Sequence, residues 1–352
     1  MDNLEKRFII SILNEDKEGL SSISINKLNF QKIITFASCH KLIGHFYHIF
    51  VKLSICSSIH DKWLEIFKFY YFGTEKKNKI YKNEYSSIVN NVEGLSGIKG
   101  IFLISDIYVN LGQRPINDID FLLVNPLNYV DDITNNLIKN GYVQGYELNN
   151  NIIKFSREEV LFKYLTHSTI CPFVKYVDGY FVKVDINLYL KGALKRCTNY
   201  NIVNIQVLIL LTEIYFNQTN LHSIKYSKDI ELIKYVDLHY IFQKYSSRDY
   251  ECLLNSIENN NLLVESRLIL GCYLQIFENK LLKETILKRK KWDINSEQEL
   301  VKFGNDLVFM WNEAFYERCF DTERYKKVSE ENYRLLDNYE STFNSFKEKE
   351  KK

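Results

Sequence analysis

The sequence predicts an α+β protein in which a small mixed β-sheet is flanked by an N-terminal and a C-terminal helical region. Apolar residues recur at helical spacing over roughly the first 90 residues and again after about residue 200. Between these regions, seven of the 13 glycines and all three prolines accompany short apolar runs, which indicates strands and turns. We therefore expect an N-terminal helical cap over 1–90, a core over 91–195 and a C-terminal helical domain over 196–352.

Composition narrows the classes of protein that the chain could belong to. The 352 residues carry 46 Lys and Arg against 44 Asp and Glu, a net charge of +2 that argues against a nucleic-acid acceptor, since long basic grooves bind nucleic acid. No apolar run reaches the roughly 18 residues of a membrane helix, and the charged N-terminus does not follow the pattern of a signal peptide. We expect a cytoplasmic protein without a membrane partner.

Seven scattered cysteines, none in C-x-x-C spacing, predict neither a disulfide framework nor a structural zinc.

The N-terminal region shows the spacing of amphipathic helices. Ile33, Ile34 and Ala37 begin one apolar stripe, and residues 63–71 carry another, with Trp63 and Phe67 on one side. Recurrence at three and four residues places such side chains on one face of a helix.

A strand followed by a helix is predicted over residues 121–141. The run at 121–124 is apolar and short, as in a buried strand. Asn125 is a favourable helix cap, Pro126 suits the first helical position, and Gly141 follows the last apolar residue of the periodic stretch.

A β-hairpin is predicted around Asp178-Gly179. Apolar residues lie on both sides, at 173–177 and 180–188, and this dipeptide favours a two-residue turn with positive φ at both positions. The hairpin places Asp185 on its second strand.

Asp118-Ile119-Asp120 is the first candidate for chemistry. On a strand the side-chain period is two, so both carboxylates lie on one face, about 7 Å apart, while Ile119 faces the core. Carboxylate oxygens are the ligands that Mg²⁺ prefers, and Mg²⁺ keeps positions open for phosphate and water. With a third acid, this pair predicts a metal site.

Lys99-Gly100 is the second candidate, as an anion site. The pair precedes a helical stripe at Ile101, Ile104 and Leu111, so it lies where a strand turns into a helix. Backbone N–H groups at such a turn favour an anion, and a glycine permits close approach. Lys99 adds a positive charge, and Arg114 offers a forked contact with a phosphate.

These motifs resemble the polymerase-β-type nucleotidyltransferase superfamily, and specifically a bacterial nucleotidyltransferase family long described as uncharacterised. The resemblance covers about residues 30–280 and includes 37–42, the strand around Asp185 and the stretch 228–242. Its central positions are Lys99, Gly100, Tyr108, Arg114, Asp118, Asp120, Leu123, Val124, Gly141 and Tyr142.

The resemblance implies a mechanism and further site residues. Asp118, Asp120 and Asp185 would be catalytic and would bind Mg²⁺ or Mn²⁺. Lys99, Gly100 and Arg114, with Lys228 and Asp237, would bind a nucleoside triphosphate such as ATP. The nucleoside monophosphate would pass to a hydroxyl or phosphate of a small molecule, a peptide or a protein, and pyrophosphate would leave.

The sequence departs from the superfamily pattern at two positions. Ile101 follows Gly100 where relatives usually have Ser or Gly, so the hydroxyl contact to the triphosphate is absent and Lys99 is proposed to substitute for it. Asn187 stands where relatives commonly have His, and an amide does not take up a proton at neutral pH.

Two alternatives stay open at this stage. The chain could be a nucleotide-binding or partner-binding module without catalytic activity. It could also transfer a sugar from a nucleotide-activated donor to a phosphorylated acceptor, because the same metal and anion sites would serve that reaction.

Overall fold

The computed structural model describes most of the chain. The described residues are 1–92, 94–123, 130–166, 169–188, 202–294, 300–303 and 306–328. The predicted helix start at Asn125 and Pro126 lies outside them.

The chain forms two compact units. The first, here called the sheet unit, comprises residues 42–209. The second, the helical unit, combines residues 1–41 with residues 210–352. Each unit contains residues from more than one of the three segments predicted from sequence. That these three segments are separate domains stays a prediction.

Helices occupy most of the first 91 residues, as predicted. The helical unit contains α1 (Asn3–Leu13), α2 (Lys17–Ser21) and α3 (Phe30–Cys39). The sheet unit begins with α4 (Ile43–Lys52) and the long α5 (Asp61–Asn91), in which Phe67 is fully buried.

A six-stranded mixed sheet forms the centre of the sheet unit, and this confirms the predicted fold class. Its strands are β1 (Leu95–Ile98), β2 (Ile119–Leu123), β3 (Val143–Leu148), β4 (Asn151–Lys154), β5 (Phe173–Val177) and β6 (Tyr180–Asn187). The order across the sheet is β1-β2-β6-β5-β3-β4. β2 and β6 run parallel, and every other neighbouring pair is antiparallel.

The two faces of β2 and β6 differ in polarity. Ile119, Phe121, Val182 and Val184 are fully buried on one face, where they pack in the core with residues of α5. Because side chains alternate along a strand, Asp120 and Asp185 project from the opposite face. The apolar face therefore fixes where the carboxylates point.

The strand-to-helix turn at Lys99 is present, but the helix is shorter than predicted. Helix α6 (Lys99–Phe102) continues as one π-helical stretch that ends at Ile107. Leu111, predicted on the same helical stripe, lies beyond this end in a turn. Tyr108 is buried. The periodicity indicated a longer helix because the apolar residues continue into the packed loop.

The second predicted helix and the hairpin are both present. Helix α7 (Val130–Lys139) buries Ile133 and Leu137, and Gly141 follows it with a φ of +84°. The β5–β6 turn has φ values of +47° at Asp178 and +89° at Gly179, as the predicted two-residue turn requires.

Helix α8 (Arg157–Thr166) lies between β4 and β5. Further helices follow the sheet, as expected. They are α9 (Ile202–Thr219), α10 (Leu221–Lys225), α11 (Leu232–Phe242), α12 (Ser247–Asn259), α13 (Leu263–Ile276), α14 (Lys280–Leu287) and α15 (Phe315–Cys319). A separate antiparallel pair, β7 (Leu300–Phe303) and β8 (Asp306–Met310), was not predicted. Among the helices described, none is long and apolar enough to cross a bilayer.

The burial of Phe121 on β2 leads to a prediction about the free energy of unfolding. Replacing Phe121 by Ala removes a fully buried ring that stacks on Tyr85, so the free energy of unfolding should fall by about 3–5 kcal/mol. Phe69→Ala is the matched control, because Phe69 is 77% exposed and its loss should cost little. Urea titration measures both, and equal losses in the two variants would contradict the assigned core.

Candidate active site

Two aspartates face each other across parallel strands. Asp120 on β2 is the register partner of Asp185 on β6, and neighbouring strands lie about 4.8 Å apart. Asp118 directly precedes β2, two residues before Asp120, so it belongs to the same face. The structure thus brings together the three acids that the sequence analysis selected from distant segments.

Two lysines neutralise this acidic face. The Lys99 Nζ donates to Oδ1 of Asp120 at 2.8 Å, and the Lys183 Nζ donates to Oδ2 of Asp185 at 2.5 Å. Lys183 stands two residues before Asp185 on β6 and therefore shares its face. Both pairs are charge-assisted and partly shielded from water, which strengthens them.

Burial sets the electrostatics of Asp120. Its side chain is 9% exposed, and this burial raises the pKa of the carboxyl to about 6. Lys99 acts in the opposite direction, while the charges of Asp118 and Asp185 raise the pKa further. The pKa of Lys183 is raised even though burial favours its neutral form, because the hydrogen bond and charge of Asp185 outweigh that effect. The net effect is a carboxyl whose pKa lies well above that of an exposed aspartate.

The carboxylates contact lysines rather than a common centre. Across the part of the chain that the structure describes, no three His, Cys, Asp or Glu side chains are gathered closely enough to hold a metal ion. Lys99 and Lys183 each hold one of the three acids in its present orientation. Binding of a cation by all three would require these ammonium groups to move.

The turn that carries Lys99 is held in an unusual conformation. Lys99 has a φ of +55°, in the left-handed region that side chains rarely adopt, and such a conformation costs about 1–3 kcal/mol. Its backbone N–H donates to Oε1 of Gln206 at 2.8 Å, and the Gln206 side chain is buried. An amide near the start of α9 thus stabilises the strained turn that directs Lys99 toward Asp120.

Gly100 leaves space that residues of the loop before β2 occupy. A Cβ on Gly100 would lie 2.8 Å from Cγ2 of Ile116 and 2.9 Å from Nη1 of Arg114. The absent side chain therefore makes room for these two residues, and the close approach of a phosphate to Gly100 stays a prediction. The Arg114 guanidinium also donates to the Pro115 carbonyl at 3.3 Å. The site thus has a guanidinium beside the Lys99 turn.

Lys228 and Asp237 belong to the helical unit. Lys228 is exposed, and its backbone N–H donates to the Ser223 carbonyl. Asp237 lies on α11 and is fully buried. A contact of either residue with a nucleotide stays a prediction.

Two residues of the site, Lys183 and Gln206, were missed from sequence. Lys183 was detectable, since a lysine two residues before Asp185 on a strand shares its face. Gln206 gave no signal, because 107 residues separate it from Lys99. Asn187, treated as the departure from a histidine, has a structural contact: its Nδ2 donates to the Phe121 carbonyl at 3.0 Å and ties β6 to β2.

Residues 26–278, more than two thirds of the chain, match a family of nucleotidyltransferases. The chain therefore belongs to this family, which is described as "Uncharacterised nucleotidyltransferase". No curated protein and no solved structure matches the chain. Its placement in the polymerase-β-type superfamily stays a prediction.

The raised pKa of Asp120 makes stability depend on pH. The folded protein binds this proton more tightly than the unfolded chain does, so the contribution of Asp120 to stability is lost as pH rises from about 4 to about 6. Asp120→Asn removes the buried charge, and the variant should gain about 1–3 kcal/mol relative to the parent above that interval. Below about pH 4, the difference in stability between the variant and the parent should be smaller.

Urea titrations at several pH values test this dependence. Asp106→Asn is the control, because Asp106 is exposed and makes the same change in charge. A parent protein that exceeds Asp120→Asn in stability at every pH would contradict the proposed electrostatics of Asp120.

Proposed function

We propose that this protein is a Mg²⁺-dependent nucleotidyltransferase that moves a nucleoside monophosphate from a nucleoside triphosphate to a hydroxyl or phosphate of a small molecule, peptide or protein. One observation carries the proposal: Asp120 and Asp185 are register partners on parallel strands, with Asp118 on the same face and Lys99 beside them. Membership of a nucleotidyltransferase family supports the same reaction class.

The donor set on this face suits a hard divalent cation. Three carboxylates lie within electrostatic reach of one another, since the charges of Asp118 and Asp185 both act on Asp120. Carboxylate oxygens fit Mg²⁺, and Mn²⁺ can occupy the same kind of site. Asp118, Asp120 and Asp185 would hold the cation, which when bound supplies charge neutralisation to the triphosphate and lowers the pKa of an acceptor hydroxyl.

The other side chains have roles that follow from their positions. Lys99 and Arg114 carry positive charges at the turn after β1, and they would bind the phosphates that leave as pyrophosphate. Asp185 would accept the proton of the attacking hydroxyl. Gln206 would keep the Lys99 turn in place while these groups change partners. Positioning and charge compensation account for most of the catalysis in such transfers.

The loss of two carboxylates tests this function. Asp118→Asn with Asp120→Asn should reduce pyrophosphate release from a nucleoside triphosphate by roughly 10³-fold or more, since two cation ligands lose their charge. The assay uses a panel of triphosphates with Mg²⁺ and candidate acceptors. Thermal stabilisation by triphosphate with Mg²⁺, measured in parallel, should also be lost.

Controls separate this function from the alternatives. Asp106→Asn changes one exposed acid in the same unit and should retain activity. Nucleotide binding without pyrophosphate release from the triphosphate, whichever acceptor is present, would indicate a binding module. Release of a nucleoside diphosphate from a sugar nucleotide would indicate sugar transfer. Full activity of the double variant would refute the assignment of the three acids.

A further inference from the structure

A cavity of about 1030 Å³ opens beside the start of β2, within the sheet unit. Helix α5, the residue before Asp118, and the turns of the β3–β4 and β5–β6 hairpins form its walls. Its polar members include Lys77 and Asn117, and its aromatic members include Tyr81, Tyr176 and Phe181. The volume is that of a small-molecule site.

The cavity lies on one flank of the acids, and the Lys99 turn lies on the other. Lys99 and Gly100 follow β1, which borders β2 on one side. Phe181 and Tyr176 belong to β6 and β5, on the other side of β2. In phosphoryl transfer the attacking and leaving oxygens lie roughly in line across the phosphorus. If pyrophosphate leaves toward Lys99, the acceptor must enter from the flank that contains the cavity.

Two neighbouring rings, tilted by 53° to each other, provide an aromatic surface in this cavity. The centroids of Tyr176 and Phe181 are 4.9 Å apart, and these residues are register partners in the hairpin. Tyr176 is 58% exposed, so much of its ring is available to a ligand. Aromatic side chains favour planar, apolar partners.

Lys77 provides a positive charge. Its Nζ donates to Oδ1 of Asn117 at 3.1 Å and lies 5.2 Å from the centroid of the Tyr81 ring. Lys77 is half-buried, and this burial lowers the pKa of its ammonium group, while the charge of Asp118 acts in the opposite direction. Its hydrogen-bond partner is a neutral amide, so the ammonium group can also pair with a bound anion. Glu147 also lines the cavity, but it is exposed, so solvent screens its charge.

Tyr81 connects the cavity to the acids. Its hydroxyl proton is shared between the carbonyls of Phe181 at 2.8 Å and Asn117 at 3.2 Å. Burial, with the charges of Asp118 and Glu147, raises the pKa of Tyr81 to about 12, so the hydroxyl stays protonated as a donor. This contact joins the start of β2 to β6 and fixes the cavity wall next to Asp118.

We propose that this cavity is the acceptor site and that the acceptor is a small aromatic anion carrying a hydroxyl group. Its ring would pack against Tyr176 and Phe181, its carboxylate or phosphate would pair with Lys77, and its hydroxyl would face Asp118. This inference rests on the proposed function. In the transfer, the acceptor oxygen bonds to the α-phosphorus, the α–β anhydride bond breaks, pyrophosphate takes that electron pair, and the hydroxyl proton passes to Asp185.

Calorimetric titration without metal or triphosphate tests the ligand class. The probes are phenyl phosphate, 4-hydroxyphenylacetate and uncharged phenol. Lys77→Met should weaken binding of the two anions by about 10- to 100-fold, as expected for loss of a charge-assisted contact, and leave phenol unchanged. Lys77→Arg should retain most of the affinity. Tyr176→Ala should weaken all three, and the two anionic probes distinguish a phosphate from a carboxylate acceptor.

Lys76→Met is the matched control, since Lys76 is an exposed neighbour on α5 and makes the same change in charge. Absence of saturable binding to the parent protein, or equal losses in the Lys76 and Lys77 variants, would overturn the ligand class. A triphosphate with Mg²⁺ should not displace the probes, and displacement would show that the cavity holds the donor. Because the titrations contain no donor, their outcome is independent of pyrophosphate release, and each proposal can fail separately.

Discussion

The parallel pairing of β2 with β6 is the constraint on which the candidate site depends. It places Asp120 next to Asp185, although 65 residues separate them, and the apolar alternation of both strands holds the two carboxylates on one face. Adjacent carboxylates repel each other, so the fold tolerates them only with compensating charge. Lys99 and Lys183 supply that charge, one from the turn after β1 and one from β6 itself. Gln206 and Asn187 then stabilise the backbone around these groups.

Local patterns predicted the elements that carry the acids. The run after Asp120 is a strand, the Asp178-Gly179 turn is a hairpin, and Gly141 follows a helix. Each of these signals depends on neighbouring residues alone, through side-chain alternation or the φ values that a turn demands. Local patterns therefore predicted the strands that carry Asp120 and Asp185, whereas the choice of Asp185 as the third acid depended on the family resemblance. The register shows that Asp120 and Asp185 are neighbours.

Long-range packing explains what the sequence could not predict. The helix after Lys99 ends at Ile107 because the following residues pack as a loop, although their spacing is helical. Gly100 accommodates Ile116 and Arg114, a contact that no local pattern indicates. The pairing of Gln206 with the Lys99 backbone and the β7–β8 pair likewise depend on tertiary structure.

The Lys99–Asp120 pair has a thermodynamic consequence for ligand order. An ammonium group that neutralises a carboxylate competes with any other cation for it, so the resting protein should have weak intrinsic affinity for a divalent ion. A polyphosphate that draws Lys99 away would free Asp120 and deliver a cation with it. Reciprocity then requires the cation to strengthen polyphosphate binding by the same factor. In the proposed function, the ion pair would thus favour loading of the metal and the nucleotide as one complex over loading of either alone.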